Sequence, residues 1–275
     1  METNLLIKAY LKKLRMPTIA RDLEKAIADA TCSNLTYERF LLALLEQEVL
    51  SREENAMRSR LARAKFPLLK TLDTFDFSQI PTLDKQTVLQ LAQADFIHTA
   101  QNCILIGGSG TGKTHLAIAI GIAACRAGLK VRFTTAAALV NELLEARKDT
   151  RLAKLIASLM RFDLIILDEL GYIPFDPTAA QLLFNFFAES YERRSILLTT
   201  NLDFGSWTTI FGDDALTGAL LDRLTHHCHI LVMNGESYRF RQSHKERNNT
   251  SHKTKKHKGD ENTNALPQTQ NDQGK

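Results

Sequence analysis

The eight residues Gly107-Gly108-Ser109-Gly110-Thr111-Gly112-Lys113-Thr114 fit G-x-x-x-x-G-K-[ST], a spacing whose chemistry is the holding of phosphate. Glycines let backbone N–H groups approach phosphate oxygens closely. Successive N–H groups then form an anion nest, reinforced by the positive end of the following helix. In that arrangement Lys113 would reach the β- and γ-phosphates, and the Thr114 hydroxyl would ligate Mg²⁺. His115, next in the chain, is counted with the nucleotide-binding stretch.

Two further runs end in groups that suit the same chemistry. In Leu164-Ile165-Ile166-Leu167-Asp168-Glu169, four apolar residues predict a buried strand. The acidic pair falls at its carboxyl end, where ligands collect in open α/β sheets. Asp168 would hold Mg²⁺ and Glu169 would orient or deprotonate an attacking water. In Ser195-Ile196-Leu197-Leu198-Thr199-Thr200-Asn201, a second apolar strand ends in Asn201. That side chain either faces the γ-phosphate and positions the water or closes an ordinary Asx turn. Arg223, within Leu220-Leu221-Asp222-Arg223-Leu224, reads from its neighbours alone as a salt-bridge partner at a helix end.

These groups need elements to position them. Cys103-Ile104-Leu105-Ile106 before the loop reads as a strand buried on both faces, and the apolar run from His115 as a helix. Further strands are expected near Val131 to Thr134, Leu164 to Asp168, Ile196 to Asn201 and His229 to Met233. Helical runs around Ala137 to Ala146, Leu152 to Met160 and Ala179 to Tyr191 lie between them. Such alternation predicts an α/β fold, a parallel five-stranded sheet with helices on both faces. The aromatics Phe184, Phe186, Phe187 and Tyr191 have helical core spacing rather than that of a base-stacking platform.

The first 73 residues have helical periodicity instead. Two short helices are expected over Leu5 to Leu14 and Ile19 to Ala30, then a longer one capped by Thr36 and closed by Pro67. Arg52, Arg60, Arg63 and Lys70 gather on one face. That face is either solvated or a contact surface for DNA phosphates. Residues 74–81 read as a linker, 82–243 as the core carrying the phosphate loop, and 244–275 as a disordered polar and basic tail.

The 275 residues carry a formal net charge of +4 and are 44% hydrophobic, which suits one large domain with an appendage. The amino-terminal stretch reads neither as a secretory segment nor as a membrane span. Cys32, Cys103, Cys125 and Cys228 are scattered, without a C-x-x-C pair, as expected of thiols in a reducing cytoplasm. The acceptor patterns at Asn34 and Asn249 therefore carry no glycosylation reading. His226-His227-Cys228-His229 is not read as a metal site, because its side chains should diverge as a helix passes into a strand.

Gly-Thr-Gly-Lys-Thr-His-Leu-Ala at 110–117, Leu-Asp-Glu-Leu-Gly-Tyr at 167–172, Thr-Thr-Asn at 199–201, Leu-Leu-Asp-Arg-Leu at 220–224 and Gly-Glu-Ser-Tyr-Arg at 235–239 together resemble the IstB family. Its members are ATP-binding helpers of insertion-sequence transposition, akin to the helicase loader DnaC within the AAA+ ATPases. The resemblance spans about Leu5 to Arg241 and implies an AAA+ core without a sizeable carboxyl-terminal lid. It implies ATP hydrolysis with Asp168 and Glu169 as the Walker B pair, Asn201 as first sensor, and Arg223 as a finger inserted into a neighbouring subunit's nucleotide. It further implies a homo-oligomer on target duplex DNA that recruits the partner transposase, with no membrane partner. Gly108 and Ser109 replace prolines common in relatives, and Arg239 or Arg241 would have to stand in for a second sensor. Two other readings stay open: a DnaC-like helicase loader, and a nucleotide-gated DNA-binding module with negligible hydrolysis.

Overall fold

The computed structural model describes residues 2–172, 174–235 and 237. The amino-terminal helices are α1 (Glu2–Lys13), α2 (Pro17–Cys32) and α3 (Tyr37–Ala64). Short helices α4 (Lys85–Ala92) and α5 (Asp95–His98) lead into the alternating part of the chain. There β1 (Asn102–Ile106), α6 (Lys113–Arg126), β2 (Val131–Thr135), α7 (Ala136–Lys148) and α8 (Leu152–Leu159) are followed by β3 (Leu164–Leu170) and α9 (Pro177–Ser190). The last elements are β4 (Ser195–Thr200), α10 (Thr208–Phe211), α11 (Asp214–Thr225) and β5 (Cys228–Val232).

All pairings are parallel and the strand order is β2-β3-β4-β1-β5, so the expected five-stranded sheet is borne out. The central strands β1, β3 and β4 alternate their apolar side chains between two cores. Cys103, Leu105, Leu164, Ile166 and Leu197 point into the core with α4, α6 and the end of α3. Ile104, Ile106, Ile165, Leu167, Ile196 and Leu198 point into the other, with α7, α9 and α11. With both faces covered, a strand is favoured by being apolar along its whole length. Each such Leu or Ile contributes about 1.5–3 kcal/mol of burial.

The amino-terminal helices have a small core of their own, Ile19, Leu23 and Leu44 with Leu11, Met16 and Phe40 packed against it. The buried Glu48 carboxylate of α3 caps α2, accepting from Thr18 N at 2.9 Å and Ile19 N at 3.0 Å. Thr36 caps α3 as expected, accepting from Arg39 N. The helix closes at Ala64 because Lys65 is left-handed (φ 59°), two residues before Pro67.

Two expectations change here. The basic face is partly consumed inside the molecule. Arg60 Nε donates to Cys125 O at 2.8 Å, satisfying a carbonyl in the last turn of α6, and Arg52 pairs with Glu48 at 2.9 Å. Arg63 and Lys70 remain exposed. The stretch 74–81, read as a linker, buries Phe75 and Ile80 in the α6-side core. Burial of two large apolar side chains ties that stretch to the sheet rather than freeing it as a spacer.

No helix among the described residues is long and apolar enough to cross a membrane. Past β5 the described residues are 233–235 and 237, and they form no helix. The tail at 244–275, with Arg239 and Arg241, lies outside them.

Candidate nucleotide site

The loop Gly107 to Gly112 joins the end of β1 to the start of α6, with Gly110 at φ 79° and Gly112 at φ 91°. Both conformations favour glycine. Gly107 is glycine for another reason: a Cβ there would run into the carbonyl of Met233. Lys113 Nζ folds back over the loop and donates to Gly107 O and Gly108 O, both at 2.7 Å. The cation therefore sits where phosphate charge would replace carbonyl dipoles. Thr111 Oγ1 donates to Gly108 O at 2.9 Å and closes the turn.

Because β4 inserts between β1 and β3, three strand ends meet beside this loop. Thr114 Oγ1 lies 3.0 and 3.1 Å from the two oxygens of the buried Asp168 carboxylate. A hydroxyl and a carboxylate make an all-oxygen donor set of the kind magnesium takes, so the pair fits the ion expected of it. Glu169 is exposed and left-handed (φ 61°) at the irregularity where β3 shifts register against β4. A non-glycine residue held there stores strain, and such positions cluster at functional sites.

Thr199 of β4 links these two acids and was not singled out by sequence. Its hydroxyl donates to Asp168 Oδ1 at 2.5 Å and accepts from Glu169 N at 2.9 Å. Its sequence signals were its place two residues before Asn201 in an apolar strand and within the Thr-Thr-Asn run at 199–201. Asn201 itself is exposed just past β4, next to the Gly107 amide that donates to Thr200 O at 3.2 Å.

His115 points away from the loop. Its Nε2 lies 3.1 Å from Thr71 O and 3.2 Å from Thr74 Oγ1, and its ring meets Phe75 edge-on at 5.2 Å. Burial, with the charge of Lys70 adding to it, holds the imidazole below its ordinary pKa despite the Thr71 carbonyl. A Cβ on Gly112 would in turn touch the Phe75 ring, so residues 71–75 wall the loop on one side.

Arg223 is not part of this cluster. It adjoins Asn102, Ile196 and Tyr191, at the opposite end of β1 from Gly107, a separation of about 16 Å at the usual rise per strand residue. Its guanidinium lies 5.1 Å over the Phe184 ring, and Nη1 is buried without a hydrogen-bond partner among the described residues. An orphaned buried donor costs about 1–3 kcal/mol.

One turn further along, His229 Nε2 meets Gln101 Oε1 at 2.8 Å, and Cys228 is partly buried with its thiol pushed up to about 12 by that burial. His226 and His227 stay together, and exposed Glu192, which sequence did not suggest, joins them with ligand atoms within 4.8 Å.

The family described as IstB-like ATP binding protein matches residues 9–246. The putative ATP-binding protein of insertion sequence IS5376 from Geobacillus stearothermophilus is 39% identical over 236 residues, 86% of this chain and 94% of the relative. That of insertion sequence IS21 from Pseudomonas aeruginosa is 39% identical over 239 residues, 87% and 90% of the two chains. AMPPCP-bound DnaA from Aquifex aeolicus superposes with a TM-score of 0.51 at 20% identity, over 62% of this chain and 51% of that one. That likeness speaks for the fold alone. With the family match spanning most of its length and its phosphate loop set against two acids and a threonine, the chain belongs to the IstB-like ATP-binding proteins.

Proposed function

We propose that this protein is an ATP-hydrolysing, DNA-binding helper of insertion-sequence transposition, which assembles with copies of itself on target duplex DNA and recruits the transposase of the same element. The observation that carries the reading is the meeting of Thr114, Asp168, Thr199 and Glu169 beside the phosphate loop, in a chain whose relatives carry insertion-sequence names.

Lys113 exchanges the Gly107 and Gly108 carbonyls for the β- and γ-phosphates when ATP enters, since a phosphate anion offers the ammonium more than two carbonyl dipoles. Thr114 and Asp168 would hold Mg²⁺, which would supply positive charge against that of the phosphates. Thr199 fixes the Asp168 carboxylate and, through its hydrogen bond from the Glu169 amide, the position of Glu169 as base. Asn201 lies alongside to orient the water. Arg223 lies at the far end of β1 from its own loop, so it serves a neighbouring copy's site, which it reaches by turning its side chain out from beside Phe184.

The amino-terminal helices make the contacts with further copies and with the transposase. Leu5, Leu6, Tyr10, Leu41, Leu42 and Leu50 are all more than half exposed on them, and such apolar surface marks interaction sites. Residues 1–73 then form the contact unit and 82–243 the ATPase core, with 74–81 packed on that core. Exposed Arg63 and Lys70 supply phosphate contacts to DNA. The compartment is the cytoplasm, where DNA and ATP are both available.

The test compares ATP hydrolysis by the full chain alone, with duplex plasmid and with single-stranded DNA, beside Lys113→Ala. Stimulation by duplex, lost in Lys113→Ala together with nucleotide binding, is expected. Stimulation by single strands alone would favour a helicase loader, and no turnover under any condition a nucleotide-gated binding module.

A further inference from the structure

The chain leaving β5 runs across the phosphate loop. Met233 N donates to Ile106 O at 2.7 Å, so the first residue past the strand still follows β1, and its carbonyl fills the space a Cβ on Gly107 would need. Four residues on, half-buried Ser237 is seated against Gly110, where an added Cβ would meet its hydroxyl, Cβ and Cα in turn. Between these points Thr82 Oγ1 donates to Asn234 O at 3.4 Å, and a Cβ on Gly235 would lie 3.3 Å from Gln79 O. Met233 and Ser237 thus each pack on a glycine of the loop, and Asn234 and Gly235 on the 79–82 stretch.

We propose that Ser237 is a further phosphate contact: its hydroxyl donates to the terminal phosphate of a bound nucleoside triphosphate, so the segment after β5 reads the γ-phosphate within its own subunit. This rests on the nucleotide reading of the loop and goes beyond it.

The first amides of α6 take the inner phosphates, and Lys113 reaches outward to the β- and γ-phosphates. The turn Gly108 to Gly110, farthest from the helix, therefore faces the outermost phosphate. Ser237 is in contact with that turn, and a hydroxyl can turn its O–H toward an arriving anion. Gly110 accordingly answers two demands at once, a left-handed backbone (φ 79°) and room for the serine. A diphosphate, ending one phosphate short, does not reach the hydroxyl.

A purely packing role for Ser237 would use its Cβ and Cα, which Ser237→Ala retains. The full chain is titrated calorimetrically in Mg²⁺ with a non-hydrolysable ATP analogue and with ADP, as unsubstituted protein, Ser237→Ala, Ser237→Cys and Ser237→Thr. Loss of the hydroxyl is expected to weaken the triphosphate about tenfold while ADP changes by less than about twofold, the size of one hydrogen bond to a charged group. Ser237→Cys, near in shape and a weak donor, should follow Ser237→Ala, and Ser237→Thr should restore the preference. Equal weakening of both ligands, or no change in either, overturns the contact while leaving the nucleotide site intact. Unsubstituted protein that binds neither ligand overturns the nucleotide reading itself, and this inference with it.

Discussion

The Thr199 hydroxyl donates to Asp168 Oδ1 at 2.5 Å, making one β4 side chain the clamp on an acid of β3. The same oxygen accepts from Glu169 N at 2.9 Å, so a single atom joins the carboxylate of one acid to the backbone of the next. Removing it in Thr199→Val keeps the branched shape, while Asp168 loses a donor and the Glu169 amide loses its acceptor. Outer-shell partners of this kind are worth about 10–100-fold in activity or metal affinity. Steady-state hydrolysis of ATP should fall by that order with ADP affinity nearly unchanged, and Thr199→Ser should recover most of it. A Thr199→Val enzyme with the unsubstituted rate would remove the clamp from the mechanism.

Glu169 is held at φ 61°, a conformation that costs a non-glycine residue of order 1–3 kcal/mol. Structure elsewhere sustains it, including the bond from its amide to Thr199. Glu169→Gln keeps the backbone and shape but cannot take a proton. Turnover should drop by about 10²–10⁴, the usual contribution of a positioned base, with ATP still bound and the DNA-bound assembly persisting. Filter retention of labelled duplex in the presence of ATP reads that persistence; rapid release identical to the unsubstituted chain would contradict it.

Arg223 and Lys113 lie at opposite ends of the sheet, so a site built from both must draw them from two copies. Arg223→Ala and Lys113→Ala proteins, each inactive alone, should regain part of the activity when mixed, because some mixed interfaces carry one intact lysine and one intact arginine. The arginine is worth about 10³–10⁵ in rate where such fingers operate. A mixture that stays inactive at every ratio argues that Arg223 serves only its own subunit, through Phe184.

What was readable in the chain, and what was not, divides along sequence distance. Strands β1, β3 and β4 could be placed because a strand covered on both faces is apolar throughout, β1 running into the glycines of the loop and β3 and β4 into polar groups. Strand order is not written in any local pattern, and it is the insertion of β4 between β1 and β3 that brings Thr199 to Asp168. Arg60 was grouped with Arg52, Arg63 and Lys70 because its spacing matched theirs. Its partner, the Cys125 carbonyl, is 65 residues away. Phe75 and Ile80 stand in a stretch without helical or strand period, so nothing local announced that they would be covered by the α6-side core.

Glu48 offers a test of the amino-terminal helices that is independent of nucleotide. Burial alone would raise its pKa; hydrogen bonds from Ile19 N and Arg52, then from Thr18 N, outweigh that and hold it below the ordinary carboxylate value. A lowered folded pKa means that the unfolded chain takes up the proton first. The stabilisation is thus fully present above about pH 4.3, the unperturbed value, and is lost as pH falls through the lower folded value. Glu48→Gln keeps the size but weakens both cap and ion pair, and an N-cap alone is worth about 0.5–2 kcal/mol. Urea unfolding at pH 7 should show a loss of about that size or somewhat more. The difference between the two proteins should shrink in acid, as protonation makes Glu48 resemble the amide. A Glu48→Gln chain as stable as the unsubstituted one at pH 7 would mean that α2 does not depend on α3 for its amino-terminal cap.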